Sequence, residues 1–167
     1  RYLRQCGISA PIRTVSPHHS HAAAGYYTSP VSEATVVCID SIGEFETLTI
    51  WEGEGTRLKK VYSQGYPNSI GLWYSALTQR VGLKPNEDEY ILMGMAAYGD
   101  PQRLWNDMYE MFDYIDGPDI RFKENLHRGC KRWKPELTTE QDMFDIAAVT
   151  QKTYEFTLEQ ILAWAKK

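Results

Sequence analysis

The sequence has no Cys-x-x-Cys pair, and its three cysteines, Cys6, Cys38 and Cys130, lie far apart. An odd, scattered set makes neither a disulfide framework nor a thiolate metal cage; it is the usage of reduced thiols in the cytoplasm. Positive charge is not in excess: 18 Lys and Arg stand against 22 Asp and Glu, a net charge of −4. That removes the electrostatic case for a nucleic-acid partner. No apolar run approaches the roughly 18–20 residues of a membrane span, and no secretory leader is visible, so no membrane partner is expected. Internal repeats, low-complexity segments and a G-x-x-x-x-G-K phosphate loop are also missing. What remains is a 167-residue chain, 43% hydrophobic and 24% charged, with eleven Tyr and five Trp. That is enough for one domain with a real core. The chain opens on Arg1 and closes on Ala165-Lys166-Lys167 inside a helical pattern. Residues 1–167 therefore read as a single partial domain, incomplete at both ends, whose uncovered apolar surface a homodimer would bury.

Periodicity gives an α/β order. Tyr2–Gly7 reads as the end of a helix closed by glycine. Ile12–Ser16 is a short strand candidate, and the Ala-rich His18–Tyr27 is a helix with Pro17 in its first turn. Ala34–Asp40 is a continuous β-branched run, hence a buried strand. Phe45–Trp51 and Arg57–Tyr62 pair with it as a three-stranded meander. Helices follow at Ser69–Val81, Asp88–Tyr98 and Pro101–Phe112. Asp113–Thr138 is polar and irregular, with a short strand at Ile120–Phe122. Thr139–Lys166 is a long helix with Thr139 as N-cap and Asp142 three residues on. Its apolar line runs through Phe144, Ala147, Ala148, Thr150, Tyr154, Leu158, Ile161 and Leu162.

Chemistry concentrates in residues 16–44. His18, His19 and His21 fall within four positions, followed by small residues and a strand ending on Asp40. On a helix, residues three apart differ by about 60° around the axis, so His18 and His21 can face one point with His19 turned away. With Asp40 they supply three metal ligands and leave positions open for substrate. The bare pattern is equally that of a helix cap with solvated histidines. Asp40-Ser41-Ile42-Gly43-Glu44 has the form of a turn whose N–H groups meet phosphate, or of an ordinary β-turn. Asn68 or Ser69 suits a helix N-cap able to meet an anion, while Trp73 and Tyr74 read as core. Gly94 interrupts a helix at a cost of about 1 kcal/mol, which points to close packing or ligand approach.

In this order and spacing, His18–Ala22 with Ser29-Pro30, Asp40–Glu44, Pro67–Ser75 and Glu89–Gly99 resemble the O-carbamoyltransferases of the NodU/CmcH type. Those proteins carry H-H-x-x-H-A before S-P, then D-G-x-G-E, P-x-S-L-G-x-x-Y-S and E-Y-K-x-M-G-L-A-P-Y-G. The resemblance implies a partial actin/sugar-kinase/heat-shock-ATPase (ribonuclease-H-like) domain, similar to the one that transfers carbamoyl groups in tRNA threonylcarbamoyladenosine synthesis. It implies that a separate YrdC-type domain makes carbamoyl-adenylate from carbamoyl phosphate and ATP. The present domain would then move the carbamoyl group to a hydroxyl of a small molecule, helped by a divalent metal, iron. Carried over residue by residue, His18, His21 and Asp40 hold the metal, with His18 and Asp40 the catalytic pair. Ser41, Gly43 and Glu44 line the carbamoyl-adenylate site, and Asn68 and Gly94 touch the same ligand.

The chain departs from the pattern at several points. Its outer histidines are three apart where the family has four. Ser41 stands for glycine, Ile91 for lysine and Ala97 for proline. The isolated chain is expected to be inactive. Two other readings stay open: another ATP-binding member of the same superfamily, a kinase or ATPase, and a non-catalytic remnant or interaction module. The histidine cluster favours the transferase and the shortened histidine spacing favours the remnant.

Overall fold

Alternating apolar residues build the antiparallel meander that positions everything else. In the computed structural model, which describes residues 2–166, β1 (Glu33–Gly43), β2 (Glu46–Glu54) and β3 (Arg57–Gly65) pair in the order β1-β2-β3. Cys38 faces Thr49 and Ile39 faces Leu48 across the first pair. Successive side chains point to opposite faces of a strand, so the sheet serves two cores. Leu48 and Ile50, with the half-buried Val37 and Ile39, join the main core. Trp51 and Cys38 form a smaller one with Ala22.

The smaller core is covered by α2 (Pro17–Tyr27). Ser16 caps it, its side chain accepting from the His19 N–H, and Pro17 opens it as expected. Tyr26 seats the helix on the sheet. Its ring lies over Gly53, where a Cβ would come within 2.5 Å, and its hydroxyl donates to the Ser32 and Gly55 carbonyls. The main core is covered by α3 (Ile70–Arg80) and α6 (Glu140–Ala165). Trp73, Leu77, Ile146, Val149 and Ile161 are all fully buried there. A short α1 (Tyr2–Gln5) ends at Gly7, whose φ is +79°. Between α3 and α6 come α4 (Glu89–Met95), a 3-10 turn at Ala96–Tyr98, α5 (Trp105–Tyr109) and the hairpin β4 (Phe112–Asp116) to β5 (Asp119–Phe122).

Four expectations need correction. Residues 12–16 form no strand: the segment between Pro11 and Pro17 has no pairing partner, and Ile12 and Val15 are exposed. The helix expected over Pro101–Phe112 shrinks to α5, because residues 101–104 turn instead and Phe112 begins β4. The segment 113–138 is therefore less irregular than its composition suggests. On α6 Ala147, Ala148, Thr150 and Ile161 are buried as expected, but the buried stripe also takes in Ile146, Val149, Thr153 and Thr157, whereas Leu162 is exposed. Threonine enters this core because the Thr150 and Thr157 hydroxyls donate to carbonyls four residues back, at 2.7 and 2.8 Å, leaving no orphaned donor.

The N-terminus of α6 is pinned twice. Thr139 and Asp142 complete a reciprocal capping box. Arg103 then reaches both Asp142 and Asp145, and the Asp100 N–H also donates to Asp145. This ties the turn after α4 to the long helix. Gly99 makes the approach possible, since a Cβ there would lie 2.0 Å from the Phe144 carbonyl oxygen.

Candidate functional site

The start of α3 is set against the end of β1. Ser69 caps α3 by accepting from the Leu72 N–H, and its hydroxyl also lies 3.2 Å from the Asp40 carbonyl. Gly71 then passes so close to β1 that a Cβ would stand 3.0 Å from the Ser41 Cα. This contact opens one wall of a cleft of about 570 Å³ that continues over α4 and α6. Ser41, Gly71, Tyr74 and Ser75 line it from one side, Asn86, Glu89, Tyr90 and Met93 from another, and Gln151 and Tyr154 from α6.

Polar groups in the cleft are held in place. Glu89 Oε1 accepts from the Ser75 hydroxyl and from the Asn86 N–H, each at 2.6 Å. Tyr74 donates to Gln151 Oε1 at 2.9 Å, and its ring meets that of Tyr154 edge-on at 5.5 Å. Burial, with smaller contributions from Tyr154, Glu89 and Glu155, pushes the Tyr74 phenol up to about 12, so it stays protonated and remains a donor. Aromatic walls with a fixed carboxylate, amide and hydroxyls suit a planar or polyhydroxylated ligand. The sequence places Tyr74 in the core and Tyr154 in the apolar line of the long helix, and it gives Ser75 and Gln151 no role. Glu89 enters the sequence reading only as the first residue of the family-like stretch Glu89–Gly99. The signal was present for three of them, since Tyr74, Ser75 and Glu89 lie inside the family-like stretches.

The expected site residues fall in different places. Ser41 lines the cleft. Asp40 is not the end of its strand, because β1 runs on to Gly43, which pairs with Glu46. Residues 40–42 occupy a break in the register, and Asp40 Oδ1 accepts from the Ser41 N–H at 2.7 Å. The turn thus comes at Glu44, which is exposed with φ +64°. Asn68 uses its side chain inside the fold, accepting from the Phe122 N–H. Gly94 meets nothing within 4 Å of a built Cβ; the close approach expected there occurs at Gly99 instead.

The histidines sit across the sheet from the cleft, on α2. His18 is fully buried, its Nδ1 lies 2.9 Å from Thr49 Oγ1, and its Nε2 has no partner. The His18 and His21 rings are neighbours, with centroids 6.2 Å apart. His19 is not part of that pair; its ring stacks on Trp51 at 5.0 Å. Among the described residues no set of three His, Cys, Asp or Glu side chains closes on one point, so Asp40 does not join the imidazole pair. A buried imidazole nitrogen without a partner, beside a second imidazole, still offers two donors of the type iron accepts.

Comparison with known proteins covers nearly all of this architecture. Residues 5–166 match the family described as carbamoyltransferase N-terminus. The Synechocystis sp. protein sll1178 is 35% identical over 154 residues, covering 83% of this chain and 25% of the relative. Nodulation protein NolNO of Sinorhizobium fredii is 29% identical over 160 residues, covering 90% of this chain and 23% of the relative. Nodulation protein NolO of Bradyrhizobium diazoefficiens is 34% identical over 99 residues, 58% of this chain and 18% of the relative. The chain spans a quarter or less of the length of these relatives. The matched region includes the sheet, the cleft and the histidine helix alike, and the chain belongs to the carbamoyltransferase N-terminus family.

Proposed function

We propose that the chain takes part in O-carbamoyl transfer, moving a carbamoyl group from carbamoyl-adenylate to a hydroxyl of a small molecule. In this reading it is a partial actin-like, ribonuclease-H-like domain in the cytoplasm. Carbamoyl phosphate and ATP are turned into the adenylate on a YrdC-type domain, and the chain alone does not turn over. The observation that carries the reading is the cleft. Three of the four family-like stretches, represented by Ser41, by Gly71 to Ser75 and by Glu89 to Met93, line one cavity.

The chemistry asked of the cleft is modest. The acceptor oxygen attacks the carbamoyl carbon, a new C–O bond forms, the bond from that carbon to the phosphate oxygen breaks, and AMP leaves. The hydroxyl proton needs a place to go. Glu89 suits this because Ser75 and Asn86 hold its Oε1, which orients Oε2 toward an incoming hydroxyl. Ser41 lies against the start of α3, where a phosphate of the adenylate would be met by hydroxyl and backbone donors. Tyr74 and Tyr154 flank the ligand. His18 and His21 are the residues proposed to hold a divalent metal; Asp40, expected as a third ligand, does not converge with them among the described residues. Such an ion, when bound, polarises a carbonyl or phosphoryl oxygen as a Lewis acid.

A second reading, a non-catalytic interaction module, is favoured by one observation: no three metal-ligating side chains converge among the described residues. Calorimetric titration with a sulfamoyl-adenosine analogue of carbamoyl-adenylate separates the two. The transferase reading expects binding by the wild-type chain and at least about tenfold weaker binding by Ser41→Ala, about 1.4 kcal/mol. No binding by the folded wild type supports the module.

A further inference from the structure

His18 poses a question of proton placement that its neighbours answer. The ring and the Thr49 side chain are both wholly buried. Thr49 Oγ1 lies 2.9 Å from His18 Nδ1 and accepts from Trp51 Nε1–H at 2.8 Å. A hydroxyl has two lone pairs and one hydrogen, and an indole nitrogen only donates. Trp51 therefore fills one lone pair of Thr49. If the Thr49 hydrogen pointed at Nδ1, His18 would carry its proton on Nε2, as a buried donor with no acceptor. Buried N–H groups are rarely left in that state. If Nδ1–H fills the second lone pair instead, the Thr49 hydrogen is free for the thiol of Cys38, its cross-strand partner. Every hydrogen-bonding capacity of Thr49 is then used. Nε2 is left as a bare lone pair, buried, with the His21 ring beside it.

We infer that Thr49, oriented by Trp51, is a positioning residue that holds His18 as the Nδ1–H tautomer and presents Nε2 to a divalent cation shared with His21. The tautomer rests on the hydrogen bonds alone; the cation rests on the metal reading above. The hydrogen bond at one ring nitrogen decides which state the other presents, and loss of such a partner typically weakens metal binding about 10- to 100-fold.

The test uses the whole chain, without metal, at about pH 8, above the usual imidazole range. Two-bond proton–nitrogen correlation spectra of the histidine rings report the tautomer directly. Titration with Co²⁺ reports affinity, and circular dichroism reports folding. Wild type is expected to show His18 as the Nδ1–H form. Thr49→Val keeps the shape but not the acceptor and should shift the ring to the other tautomer or a mixture, with Co²⁺ bound about 10- to 100-fold more weakly. Thr49→Ser should restore both. An Nε2–H tautomer in the wild type overturns the inference, and so does a folded Thr49→Val chain with an unchanged tautomer. A wild type with the Nδ1–H form, lost in Thr49→Val, that takes up no Co²⁺ upholds the positioning by Thr49 and overturns the metal reading alone.

Discussion

Gly94 and Gly99 belong to one short stretch and face opposite circumstances. A Cβ on Gly99 would meet the Phe144 carbonyl oxygen at 2.0 Å and the Asp145 nitrogen at 2.7 Å, backbone atoms of α6 that cannot swing aside. A Cβ on Gly94 meets nothing within 4 Å. Gly99→Ala is therefore expected to destabilise the chain by about 3 kcal/mol or more. Gly94→Ala should stabilise it by about 1 kcal/mol, through helix propensity alone. Urea denaturation of the two variants checks both signs; a Gly99→Ala midpoint equal to wild type would remove the close approach. The sequence shows that a glycine interrupts a helix, but not what the glycine meets. Here the neighbour lies on another helix, 45 residues along the chain. The same limit applies to Asn68, whose cap-like position was legible while its bond to the Phe122 N–H was not.

The elements that carry their own local signals were readable. Ser69 and Thr139 each cap a helix where the sequence placed a cap, or one of two candidates for it, whereas Ser16, read as the end of a strand, caps α2. The meander followed from β-branched alternation. The hairpin β4–β5 was half seen, because Phe112–Asp116 has charged residues interleaved with its apolar ones, although Asp116-Gly117-Pro118 is itself a turn signal. Invisible in the sequence was the tie between Arg103 and the start of α6. Its consequence is a pH dependence. Hydrogen bonds from the Thr139 side chain and backbone, then from Arg103, hold Asp142 well below the usual carboxylate range. Burial pushes Asp145 up, but the Asp100 N–H, Arg103 and Gln141 more than offset it, so it too is lowered. For a lowered carboxyl the unfolded chain binds the proton first, at a pKa of about 3.9. The stabilisation is thus complete above that value and is lost as pH falls through the folded-state pKa. Stability measured by denaturant between about pH 5 and pH 2 should decline, and Asp142→Asn should show a shallower decline from a lower starting value. An Asp142→Asn profile parallel to wild type would show that the Arg103 tie does not shape acid unfolding.

At the scale of the molecule, the sheet separates two kinds of chemistry. The face towards α3 and α6 belongs to the main core, beside which the cleft opens; the face towards α2 carries the histidines. Sequence resemblance ordered the four stretches along the chain but could not say which of them share a surface. That depends on strand parity and on where α3 returns to β1, both long-range properties. Three stretches meet at the cleft, and the fourth is placed across the sheet from them. In the proposed function the carbamoyl donor sits in this cleft. Backbone amide spectra of the chain, recorded as the sulfamoyl-adenosine analogue is added, test it most directly. The predicted result is perturbation centred on Ser41, Gly71, Ser75 and Glu89, saturating together and much reduced in Ser41→Ala. Perturbation confined to other surfaces, such as the basic segment 128–134, or no saturable change in the folded chain, would contradict it.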